Sequence, residues 1–176
     1  MLDAAKQNGT CRFPYLANTN VQWGRFELDD LREMDFDEDD RRKFALEVGD
    51  LLVCEGGEVG RSAIWRGQMN DVYFQKALHR VRLDPRKAVP EYVQRYMWFM
   101  AKHGGFNDFT TSATIAHLTG VSLKKLPVPL PPIGLQWHFV GITQLIEIQE
   151  LAHRTHLAEL DTFFASLQSR AFRGEL

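Results

Sequence analysis

The chain has 176 residues, 44% hydrophobic and 25% charged, which suits a folded domain and excludes a disordered chain. No apolar run reaches the roughly 18 residues of a membrane span, and no apolar signal core follows Met1. Two cysteines with no CxxC pair favour a reducing compartment and argue against structural zinc, so a cytoplasmic protein without a metal or cofactor is expected. The formal net charge of −2 hides an uneven spread. Residues 27–40 hold nine acids and one base (Arg32), while residues 61–102 hold nine bases and three acids. A basic face can therefore exist inside a nearly neutral protein, although plain solvated surface explains both runs as well.

In chain order, residues 13–26 mix aromatic and β-branched residues with turn formers. This predicts a short strand around Tyr15–Leu16 and another around Val21–Phe26. The acidic stretch 27–43 reads as an exposed loop or short helix. Gly49-Asp50 marks a turn, and the apolar run Leu51–Cys54 predicts a buried strand. Arg61–Trp65 predicts a strand, and Tyr73–Leu83 a longer one in which Leu78, Arg80 and Arg82 alternate with His79, Val81 and Leu83.

Pro90 opens a helix with an apolar stripe through Tyr92, Val93, Tyr96, Met97, Phe99 and Met100, ended by His103-Gly104-Gly105. Residues 106–121 form a Ser/Thr-rich connector, and Leu126–Pro132 is held extended by its prolines. From about Gln136 to Phe172 the pattern is helical. Leu157, Leu160, Phe164, Leu167 and Ala171 recur three and four apart, a coiled-coil seam. Some 36 residues make a rod of about 54 Å, too long to hide its seam on a small domain. It needs a partner helix.

Chemistry-bearing motifs are few. Leu130-Pro131-Pro132-Ile133 lacks the polar and aromatic residues of an amino-methyltransferase motif and reads as a rigid linker. Gly56–Ser62 falls short of a phosphate loop: the spacing is short, Arg61 stands for lysine, and Glu58 opposes a phosphate. A tight strand connection is the simpler reading, with close approach of backbone to phosphate as the alternative. His153 and His156 lack a third metal ligand, and no catalytic triad can be assembled.

Three segments, in this order and separation, carry a resemblance: Gly49-Asp-Leu-Leu-Val-Cys-Glu-Gly-Gly, Gly60-Arg-Ser-Ala-Ile-Trp and Phe74-Gln-Lys-Ala-Leu-His-Arg-Val-Arg. With Thr114-Ile-Ala-His-Leu-Thr, Leu126–Gln136 and the closing Ser166–Leu176, they resemble one half of the specificity subunit of type I restriction–modification enzymes. The resemblance implies an α+β fold. Residues 1–130 would be a mostly β target recognition domain with a short packing helix, cut short at its first edge. Residues 131–176 would form the long helical arm.

It further implies a non-catalytic reader of double-stranded DNA that directs methyltransferase subunits, and restriction–translocase subunits through the complex, to a bipartite target. The family's subunit carries two such domains and two antiparallel helices. A chain with one of each would form a homodimer through Leu157, Leu160, Phe164, Leu167 and Ala171, or pair with a second half subunit. Arginine bridges guanine, and Asn or Gln bridges adenine. Asn20, Gln22, Arg61, Ser62, Arg66, Gln75, Lys76, His79, Arg80 and Arg82 are accordingly the candidate DNA-binding residues. Arg86, Lys87, Thr110, Thr111 and Ser112 suit phosphate contact. Trp23 and Trp65 pack in the core or beside sugars. Two other readings stay open: a nucleotide-binding enzyme using Gly56–Ser62, and a remnant that binds partners without reading sequence.

Overall fold

The computed structural model describes residues 9, 11–110 and 117–176. It divides into two compact units, Met1–Gln136 and Trp137–Leu176. The first unit is α+β. Strand β1 (Arg12–Leu16) is followed by β2 (Val21–Gln22), β3 (Arg25–Phe26), β4 (Arg32–Asp35), helix α1 (Glu38–Phe44), β5 (Leu51–Cys54), β6 (Ser62–Ile64), β7 (Tyr73–Phe74) and β8 (Leu78–Val81). Helices α2 (Pro90–Lys102) and α3 (Gly120–Lys125) follow, and α4 (Ile133–Phe172) begins at its end.

Three small sheets result, in the orders β4-β1-β7, β2-β3 and β6-β5-β8. All pairs are antiparallel except β1 with β7. Strand β5 is central. Its four residues are wholly buried, Leu51 and Val53 in one core and Leu52 and Cys54 in the other. The apolar run read from the sequence follows directly, because a strand covered on both faces needs no polar side. The first core gathers Leu16, Val21, Phe36, Phe44, Trp65 and Tyr73, with Phe36 stacked on Tyr73 at 4.8 Å. The second sets Val93 and Met97 of α2 beneath β5, with Phe106, Leu118 and Leu126.

Some expectations need correction. The strand expected over Tyr73–Leu83 is two strands. Phe74 pairs with Leu16 in the first sheet, and after the turn at Gln75–Ala77 the chain enters the third sheet beside β5. Val21–Phe26 is a hairpin, not one strand, turning at Gly24 with φ of +75°. The acidic stretch contains β4, which pairs with β1. Asp35 is buried there and accepts the Gly9 and Cys11 N–H groups at 2.6 and 2.9 Å. Helix α1 follows, with Asp37 as its N-cap accepting from the Asp40 N–H, acids in the first turn and Arg41, Arg42 and Lys43 in the last, the order that its dipole favours.

Helix α2 starts at Pro90 as expected, and its carboxy end is reached at His103 before Gly104 at φ of +69°. The short helix α3 was not anticipated; Thr119 caps it through the Ser122 N–H.

Helix α4 starts three residues ahead of the expected Gln136, directly after Pro131-Pro132. Gln136, in its first turn, is fully buried. Its carbonyl accepts the Val89 N–H at 2.9 Å, and its amide donates to the carbonyls of Lys87 and Pro131 at 2.9 and 2.8 Å. The second unit, Trp137–Leu176, is the rest of this helix, closed by Gly174 at φ of +71°. Leu157, Leu160 and Phe164 of the expected seam are about 60% exposed or more, as are Leu145, Ile148 and Leu151. Among the described residues no helix is long and apolar enough to cross a membrane.

Candidate nucleic-acid interface

The candidate base readers fall into two groups. In the first, the side chains are buried or hydrogen-bonded within the fold. Asn20 is buried; its oxygen accepts the Ala17 N–H at 2.9 Å and its amide donates to the Glu27 carbonyl at 3.0 Å, which closes the loop around β2 and β3. Arg61 donates to the Asn18 carbonyl at 2.8 Å, with its Nε buried and unpartnered. Ser62 is fully buried in β6. His79 Nε2 lies 2.8 Å from the Leu118 carbonyl, which can only accept, so this nitrogen carries the proton. Arg80 donates to the Ala45 carbonyl and lies over the Phe74 ring.

Arg82 makes a two-pronged contact with buried Asp50 (2.7 and 2.8 Å) and a third with Glu47 at 2.7 Å. Hydrogen bonding to Asp50 is the largest of the causes that hold its guanidinium above the ordinary arginine range. Alternation along β8 was legible in the sequence. That its polar face would meet carbonyls and acids of the same chain was not, because those partners are at least 32 residues away.

The second group stays accessible. Gln22 is half-buried on β2, its amide on the Thr19 carbonyl. Gln75 is half-buried, and Lys76 is exposed at the turn between β7 and β8. Arg66 is exposed and pairs with Glu91 at 2.9 Å. It opens a connection, residues 66–71, that is exposed along its whole length and links the third sheet to the first. Here the Arg66 N–H donates to the Gln68 side chain at 2.9 Å, Gly67 has φ of +77°, and Asp71 holds a left-handed φ of +53°. Gln68 and Asn70 were missed by sequence reasoning. The signal was there: Arg-Gly-Gln-Met-Asn-Asp is a polar break between two apolar strands, carrying the three residue types that bridge guanine and adenine.

The tryptophans divide. Trp65 is buried edge-on to Phe26, and Trp23 donates its indole N–H to Glu58 at 2.7 Å. Arg86 is held by Asp84 at 3.0 Å and Lys87 is exposed. Thr110 is half-buried and donates to the Asn107 carbonyl; Thr111, Ser112 and the segment 114–116 lie outside the described residues. The Gly56–Ser62 segment joins neighbouring strands β5 and β6, with no helix after it and with Arg61 and Ser62 directed inward. A nucleotide phosphate would find neither a helix N-terminus nor a free cation there. Among the described residues no group of three His, Cys, Asp or Glu side chains could hold a metal ion.

One cavity of about 750 Å³ opens in the first unit. Its lining includes Lys76, His79, Arg80 and Arg82 of the candidate set, together with Lys43, Lys124 and a floor of aliphatic side chains.

No protein-family profile matches the chain. It is 27% identical over 173 residues to the specificity subunit of the type I restriction enzyme EcoKI of Escherichia coli K12, an alignment covering 93% of this chain and 37% of that subunit. A solved chain, from work on assembly and conformational transition of the type I restriction–modification system, superposes on the whole chain. The TM-score is 0.70 at 17% identity, with 42% of that chain covered. The chain thus spans well under half the length of either. Sequence and fold comparisons agree with the resemblance carried by Gly49–Gly57, Gly60–Trp65 and Phe74–Arg82: this chain is similar to one half of a type I specificity subunit.

Proposed function

We propose that the chain is a non-catalytic DNA-reading half of a type I specificity subunit. It reads one part of a bipartite target in double-stranded DNA and brings methyltransferase subunits, and restriction–translocase subunits through them, to that site. The observation that carries this reading is the similarity to the EcoKI specificity subunit over 93% of the chain.

Residues 1–130 serve as the recognition domain and residues 131–176 as the arm that binds partners. The reading face is the exposed 66–71 connection, where Arg66, Gln68 and Asn70 are free to turn to base edges, with Gln22, Gln75 and Lys76 as the remaining accessible candidates. On approach to DNA, Arg66 exchanges its pairing with half-buried Glu91 for a phosphate or a guanine edge. The arm's exposed Leu157, Leu160 and Phe164 are covered by a second helix, from a twin chain or a second half subunit.

The test is co-expression with the methyltransferase subunit, co-purification, and sequencing of methylated sites with and without this chain. Methylation confined to a split target, present only with the chain, is expected; an unchanged methylation pattern refutes the reading. Replacing Gln68 and Asn70 by Ala is expected to relax the target at a few positions while leaving salt-dependent background affinity in place.

A further inference from the structure

Strand β8 ends the third sheet, with β5 on one side and, among the described residues, no strand on the other. The cavity lies along that open edge. Its lining takes in every residue from Leu78 to Leu83. A pocket on one face of a strand would touch alternate residues only, so six consecutive ones mean that it follows the edge. The pairing fixes which main-chain groups are open. The Glu55 N–H donates to the Ala77 carbonyl, one step beyond the Cys54–Leu78 pair, so His79 and Val81 turn their main-chain groups to β5. Arg80 turns its N–H and C=O away from β5, and no hydrogen bond to them is made among the described residues.

The far wall is the extended Leu126–Leu130 segment, held to α2 by the Tyr92 and Tyr96 hydroxyls, which donate to the Pro129 and Pro127 carbonyls at 3.0 and 2.8 Å. The floor is aliphatic, with Val53, Val93, Met97, Leu123 and Leu126. Lys43, Lys76 and Lys124 lie on the lining and no carboxylate does. Arg80 and Arg82 are already committed elsewhere, so the lysines supply the groove's available charge.

We propose that this groove receives an extended, alternately acidic and aliphatic segment of a partner protein, which adds as a further strand against β8. Each feature selects one property of the occupant. The open Arg80 main chain calls for another backbone, which duplex DNA does not offer. The aliphatic floor takes Val, Ile or Leu side chains on alternate positions. The lysines call for acids between them. The proposal goes beyond DNA reading and does not depend on it: the 66–71 connection contributes nothing to this lining, and Lys76 is the one DNA-reading candidate under that proposal that the groove shares.

The test uses the full chain and a fluorescein-labelled peptide of about eight residues alternating Val and Glu. Anisotropy is expected to show saturable binding. Two changes should each weaken it about tenfold: the pair Lys43→Glu and Lys124→Glu, and N-methylation of the peptide at alternate residues, which removes the pairing N–H groups. Hydrogen exchange at the Arg80 amide should slow in the complex. Circular dichroism of the lysine variant checks that it is folded, and Lys43→Gln with Lys124→Gln serves in its place if it is not. No binding at millimolar peptide, binding indifferent to N-methylation or to the lysine changes, or protection of the Arg80 amide by a DNA duplex that displaces the peptide would each overturn the proposal.

Discussion

Gln136 offers a sharp test of how the first unit is held together. Its side chain is fully buried and makes three hydrogen bonds, one from the Val89 N–H and two to the carbonyls of Lys87 and Pro131. All three partners are main-chain groups, and Val89 is the N-cap residue of α2. In Gln136→Ala they lose their partner together. At about 1 kcal/mol net per hydrogen bond the loss is roughly 3 kcal/mol. With a slope near 2 kcal/mol per molar urea, the midpoint should fall by about 1.5 M with little change of slope. Gln136→Glu is the informative companion. It keeps the acceptor for Val89 but places an oxygen opposite two carbonyls, so it should be at least as destabilising at neutral pH. Stability should partly recover as the pH falls and the carboxyl gains a proton to donate. Urea denaturation followed by tryptophan fluorescence measures both. If Gln136→Ala unfolds within about 0.5 kcal/mol of the parent chain, these hydrogen bonds are not what ties the start of α4 to the loop before α2.

Four further outcomes are expected. Arg82→Ala should cost about 2–3 kcal/mol in the same urea experiment, because it leaves the buried Asp50 carboxylate with only the Glu47 N–H; the half-exposed arginine keeps the loss at or below the low end for a buried pair. Gly60→Ala should cost more than about 2 kcal/mol by thermal melting, since its Cβ would run into the Phe106 ring; Gly57→Ala, with the same φ of +78° but open space, should cost only about 1 kcal/mol. Iodoacetamide followed by mass spectrometry should give one adduct on the native chain and two in urea, because Cys11 is exposed whereas burial raises the Cys54 thiol above its ordinary range. If two arms pair antiparallel, as the resemblance implies, deleting residues 150–156 keeps the seam in step and shortens the rod by about 10.5 Å; methylation mapping should find a target spacer about three base pairs shorter.

The elements that could be read in the sequence are those whose patterns are local. The buried run Leu51–Cys54, the Pro90 helix and the long terminal helix each announce themselves through composition or spacing within a few residues. Strand β4 did not, because Arg-Glu-Met-Asp has no apolar alternation; it forms because β1 lies beside it and because Asp35 accepts the Gly9 and Cys11 N–H groups. The division of Tyr73–Leu83 was hidden for a similar reason: both halves look like strand, and only the pairing of Phe74 with Leu16 reveals the change of sheet. The candidate interface was half legible. Polar residue types could be picked out, but Arg61, Arg80 and Arg82 meet main-chain or acidic partners far along the chain, and Asn20 is taken up by its own loop. The open connection carrying Gln68 and Asn70 lies between two predicted strands and has no periodicity of its own to mark it.

The pairing of Arg82 with Asp50 has one more consequence, for how the chain threads itself. A strand such as Leu51–Cys54, greasy on both sides, carries no alternating cue to say which residue belongs opposite which. β5 itself, aliphatic toward both faces, would tolerate β8 slid by one position, but the slide would swing Arg80 to the opposite face and strand Asp50 opposite Val81 or Leu83, shut away from water with no guanidinium to meet it. The ion pair thus works as a detent, the notch at which an otherwise slippery ribbon clicks into its one correct alignment.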